Sequence, residues 1–260
     1  MTTEALLDAA AFGDEPGHWP LPPARTARQL WLRAVAAGGQ GRYAIATADL
    51  AALRRALRHG PLASLAHSTE ASFIRQLGGH AEARAWDGRA LALAGSESEA
   101  STDALLGLAA DALGMERFAA SAALIDRART IASLGPVRLP IRWHWVAAEL
   151  AMARGDGATA VDHAERAVEL AADLPSVRHQ VKSQVIHAAA FCCAGRIDQA
   201  RSTADDALAA AGKAGLVPLR WAVASLLADI GSATWGTDAV AAIRDESADI
   251  VRRAGGVWRR

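Results

Sequence analysis

A chain of 260 residues that is 52% hydrophobic can bury one large core or two small ones. Its 28 basic and 28 acidic residues cancel, so the overall charge recruits neither nucleic acid nor an anionic membrane. No charge-free apolar run of about 18 residues occurs, and Met1 to Ala11 carries Glu4 and Asp8 without a basic start; a membrane span and a signal peptide are not expected, and the protein is predicted to be soluble and cytoplasmic. The adjacent Cys192 and Cys193 would staple no loop, which fits a reducing compartment.

Residues 1–24 read as an arm, a short helix followed by Pro16, Pro20, Pro22 and Pro23, which hold the chain extended. Residues 25–216 then give five helix pairs: 26–39 with 42–58, 62–77 with 80–94, 102–114 with 117–133, 141–154 with 157–173, and 177–194 with 197–213. Apolar residues recur in them at helical spacing, as in Leu105, Leu108, Ala109, Ala112 and in Val161, Ala164, Ala167, Val168. Breakers part the pairs at Gly60-Pro61, Gly95 to Ser101, Gly135-Pro136 with Pro140, Pro175-Ser176 and Gly215 to Pro218. A capping pair follows within 217–253, at 218–231 and 238–253, and residues 254–260 form a basic tail. No strand pattern competes, so the fold class is all-α.

One phrase recurs in these units, a Gly, an Ala five residues on and an Ala seven further: Gly78/Ala83/Ala90, Gly155/Ala160/Ala167 and Gly195/Ala200/Ala207. Gly suits the left-handed residue that ends a helix, and the two small residues lie two turns apart on one face of the next helix. Aligned on Ala46, Ala83, Ser121, Ala160 and Ala200, the units step by 37, 38, 39 and 40 residues, a spacing proper to stacked helix pairs. In the third unit, around Gly114 to Ser121, the Gly is displaced by a residue or so.

These units resemble the tetratricopeptide repeat over roughly residues 25–253: Gly at the junction, an apolar or aromatic residue two later (Tyr43, Phe118, Ile197), and small residues at both packing points. They depart from it in a period above the usual 34, in Ala replacing most of the early Trp, Leu and Gly, and in an irregular closing Pro. Long, Ala-rich units of this kind are similar to the sensor regions of large bacterial transcription activators. The resemblance implies a right-handed α-solenoid whose first helices face a concave groove. It places Trp31, Ser68, Leu106, Trp145, Val185 and Trp221 at one groove position and Arg28, Leu65, Asp103, Arg142, Lys182 and Pro218 at another, with Arg75 and Glu149 further along their helices.

The candidate partner-binding residues are therefore Arg28, Trp31, Arg75, Arg142, Trp145, Glu149, Lys182 and Trp221. Trp beside Arg on one face suits a ligand with apolar anchors and negative charge. The same Trp also suit a plainer role, filling gaps among the Ala, and Trp143 and Trp145 point to different sides of one helix, so both readings stay open. The carboxylate clamp of chaperone-binding repeats needs Asn, and the sequence has none.

Signals for chemistry are weak. Gly39-Gln40-Gly41 and Gly155-Asp156-Gly157 follow helices, not the strand a dinucleotide loop requires. No phosphate loop, nucleophile elbow or metal-binding His spacing occurs, and neither catalysis, cofactor nor metal is expected. Seven Arg against Asp49 over residues 25–58 suit a solvated face or an acidic partner better than nucleic acid, because no aromatic stacking platform is interleaved. The residues thus point to a non-enzymatic adaptor or regulator that holds a protein segment in its groove. The alternatives are a small-molecule or peptide sensor acting on transcription through a partner, and a homo-oligomer subunit joined through its edge or Trp258.

Overall fold

The computed structural model describes residues 2–259, among which thirteen helices and no strand form. Helix α1 (Thr3–Phe12) precedes three pairs, α2 (Ala27–Gly39) with α3 (Tyr43–Ala56), α4 (Pro61–Gln76) with α5 (His80–Ala94), and α6 (Ser98–Gly114) with α7 (Phe118–Ala132). Three more follow, α8 (Arg138–Ala153) with α9 (Gly157–Ala172), α10 (Val177–Cys193) with α11 (Ile197–Lys213), and α12 (Val217–Ile230) with α13 (Thr237–Arg253). The first helices touch one another in the series α2, α4, α6, α8, α10, α12, so they form the inner layer of an α-solenoid and the second helices the outer layer.

Helices α6 and α8 start well ahead of their predicted bounds, at Ser98 and Arg138, for local reasons. The Glu97 carboxylate accepts from the Ala100 backbone N–H at 2.7 Å and lets α6 begin inside the polar stretch. Pro140 falls in the first turn of α8, where a missing N–H costs nothing.

The repeated small residues do what their spacing predicts. Ala46, Ala83, Ser121, Ala160 and Ala200 are fully buried, as are Ala90, Ala128 and Ala167, so backbones of neighbouring helices approach closely. The junctions carry a left-handed residue at Gly41, Gly78, Gly155 and Gly195. In the third pair that position is taken by Glu116, at φ 58°, which is the displaced junction residue. Glu116→Gly should stabilise the protein by about 0.5–1 kcal/mol, the relief of about 1–2 kcal/mol of left-handed strain less the entropy Gly adds to the unfolded chain. Urea unfolding checks this, and a midpoint at or below that of the wild type would refute it.

The solenoid closes on itself. The Ala44 N–H donates to the Ala254 carbonyl at 2.8 Å, a Cβ on Gly41 would meet Val251 and Val217, and the tail lays the Arg259 N–H on the Leu77 carbonyl at 2.7 Å. Gly255, at φ 91°, passes so close to Ala44 that no side chain fits. At the other end the Gly13 carbonyl accepts from the Val177 N–H, and Phe12 lies between Trp31 of α2 and His179 of α10. The arm and the tail thus tie the last pairs to the first. The basic tail is a packed segment, with Arg259 paired to Glu82 on α5.

Candidate functional site

The inner layer encloses a cavity of about 540 Å³. Trp31, Trp145 and Trp221 line it together with Arg75, Arg142, Glu149 and Lys182, which are seven of the eight candidate residues. Arg28 is not among them. Helix α1 covers its end of α2, and Arg28 pairs there with Glu4 at 3.0 Å, half exposed. Ser68, Leu106, Asp103 and Pro218 also face the cavity, whereas Leu65 and Val185 are buried in apolar clusters between helices.

Each aromatic ring is fixed by its neighbours. Trp31 donates through Nε1 to Thr69 Oγ1 at 3.0 Å and packs on Phe12 with ring centroids 5.3 Å apart. Trp145 donates to Ser183 Oγ at 2.9 Å and stacks on the His179 ring at 5.4 Å. Trp221 lies against Trp258 of the tail at 4.2 Å. Trp143 takes the plainer role, donating to the Ile125 carbonyl and packing between α6, α7 and α8.

Charges are grouped on the cavity wall. Arg75 pairs with Asp111 at 2.7 Å and with Asp87, both carboxylates lying fully buried behind it. Asp87 reaches that place because it presses on the backbone of α6 at Gly107, where a Cβ would collide with its carboxylate. Burial raises Asp87 well above the usual carboxylate range, against the opposing charge of Arg75. Arg138 holds Asp103 at 2.7 Å and Glu99 at 2.6 Å, and Arg142 reaches Asp103 at 3.1 Å. Burial acts to raise Asp103, but Arg138 and Arg142 outweigh it and hold Asp103 below its ordinary value. Lys182 pairs with Glu149 at 3.3 Å.

Arg178 has no such partner among the described residues. Its hydrogen bond goes to the Val35 carbonyl at 3.5 Å, and burial, with the nearby charge of Arg142, pulls it down to about 10. His179 is kept well below its usual value by burial and by Arg178, so it is neutral at physiological pH. The accessible quarter of the Arg142 side chain, 27%, opens on the cavity.

Arg138 and Arg178 lie one turn before Arg142 and Lys182 on the same helix faces, so extending the groove positions back by four residues would have found them. Phe12 and Trp258 come from outside the repeats and carry no periodic signal. Other groups have structural roles. His144 and His163 bring their Nδ1 atoms to 3.1 Å between α8 and α9, and burial lowers His144 to about 4. Asp205 is buried and accepts from Ser232 Oγ and the Ala233 and Thr234 N–H groups to shape the turn before α13. In the basic run, Arg33 forks onto Asp49, Arg54 pairs with Glu70, and Arg42 covers the Trp19 ring.

No protein-family model matches the chain, and no curated protein matches it. Among the described residues no helix is long and apolar enough to cross a membrane, and no group of three or more His, Cys, Asp or Glu is placed to hold a metal ion.

Proposed function

We propose that the protein is a non-enzymatic sensor that takes a small molecule or short peptide into its central cavity and presents the bound state to a partner through its outer helices. The supporting observation is convergence: Trp31, Trp145 and Trp221, from three first helices far apart in the chain, face one enclosed cavity of about 540 Å³. That size and mixed lining match small-ligand pockets, which run to about 300–1,000 Å³ with a few placed polar groups. The acidic side chains facing it, Asp103 and Glu149, are engaged by Arg or Lys, which suits binding better than turnover. An adaptor holding a long protein segment needs an open groove, and the meeting of the two solenoid ends favours the sensor over it.

The closed ring supplies the mechanism. The arm, the tail and the first and last pairs touch around the cavity, so a ligand that contacts several walls stabilises the closed state over looser ones. Thermal-shift screening of metabolites and short peptides on the full chain tests this. A ligand at 100 times its Kd should add about 2.7 kcal/mol of stability, and Trp145→Ala should lose most of that shift. A shift that survives Trp145→Ala unchanged would remove the cavity from the account. Equal capture of one protein partner by the wild type and by a Trp145→Ala/Arg142→Ala double variant, without any small-ligand shift, would return the function to the outer face.

A further inference from the structure

Granted the cavity as the ligand site, we propose that Arg142 and Arg178 seat a carboxylate, so that the ligand is a small organic monoacid whose apolar body lies against Trp145. Three guanidinium groups, those of Arg138, Arg142 and Arg178, occupy this side of the cavity, and the carboxylates that pair with them are Glu99 and Asp103. Arg138 engages both carboxylates, and Arg142 shares one oxygen of Asp103 with it. Arg178 is left with a long bond to a backbone carbonyl. Arg75 on α4 is held by Asp87 and Asp111, and Lys182, one turn beyond Arg178 on α10, by Glu149, so neither cation competes for the incoming anion.

A guanidinium stays protonated at neutral pH, and a buried one without a counter-charge is costly. Arg178, the one of these three guanidiniums without a carboxylate in contact, matches one carboxylate, whose two oxygens fit the planar fork of an arginine. Neutral His179 adds no further charge beside Arg178. Trp145 borders the same space and offers an apolar face to the rest of the molecule, while Trp31, 3% exposed, backs the wall behind it.

Titration calorimetry on the full chain with decanoate and hydrocinnamate, each against its neutral amide, and with decyl phosphate as the dianion, tests the seat. The acids should bind at least about tenfold more tightly than their amides, the worth of a charge-assisted pair. Arg178→Met should abolish that preference while changing amide affinity by less than about twofold. Unliganded Arg178→Met should melt no lower than the wild type, because it removes a half-buried charge that lacks a carboxylate partner. A structural role for Arg178 predicts the reverse, and a lower melting temperature would overturn the proposal. Equal affinity for acid and amide would leave the cavity as a ligand site and remove the seat, and tighter binding of decyl phosphate would overturn the monoacid class. Failure of every probe to bind at up to about 1 mM would overturn both the seat and the sensor reading.

Discussion

Replacing Asp103 with Ala is expected to destabilise the protein by about 3–5 kcal/mol, the cost of leaving buried charges without their partner. Asp103 is 5% exposed in its side chain and joins Arg138 of α8 to α6, while Arg142 shares the same carboxylate. Without it, Arg138 keeps only Glu99, and Arg142 joins Arg178 in having no carboxylate partner. The sign of the pH dependence follows. Asp103 is held below its unfolded value by Arg138 and Arg142, so its contribution is complete above about pH 4 and is lost as pH falls through the folded-state value. Urea unfolding of the wild type and Asp103→Ala should therefore differ widely at about pH 7, and the difference should shrink as the pH falls below about 4. A difference below about 1 kcal/mol at neutral pH would mean that the bridge is worth no more than an exposed pair.

Trp31→Ala is the second large loss, again about 3–5 kcal/mol by removal of a large buried side chain. The ring is 3% exposed, and it carries Phe12 at the end of α1 as well as a bond to Thr69 on α4. Its removal should unseat α1, so amides of residues 3–12 should exchange faster than those of α6, with far-UV helicity otherwise retained. Trp31→Phe keeps an aromatic ring under Phe12 and should cost only about 0.5–1.5 kcal/mol for the lost hydrogen bond. Unchanged protection of α1 in Trp31→Ala would show that the arm is held by Arg28–Glu4 and Gly13–Val177 instead.

Trp31 and Arg28 show how far the sequence reaches. They lie three residues apart on one helix face, and periodicity alone treats them alike. The structure separates them because α1 packs beside α2 and draws Arg28 to Glu4, outside the cavity. Trp145 and Trp143, two residues apart, divide as an inner-layer helix must divide them, one toward the hollow and one toward α6 and α7. Glu116 marks the opposite case: a missing Gly obscured the third junction, yet the chain adopts the same left-handed turn because the helices on either side require it.

The helix pairs, their junctions and their inner faces were determined by the sequence itself, because each depends on residues within one or two turns: apolar spacing, small packing residues, and Gly where φ must be positive. Ring closure and the charge balance of the cavity were decided only by tertiary structure. Val251 meets Gly41, Trp258 meets Trp221, and Arg178 reaches Val35 across 143 residues of chain. No local pattern encodes such a meeting, since it follows from the summed rotation of six helix pairs, and that rotation leaves Arg178 half-buried in the cavity wall without a carboxylate beside it.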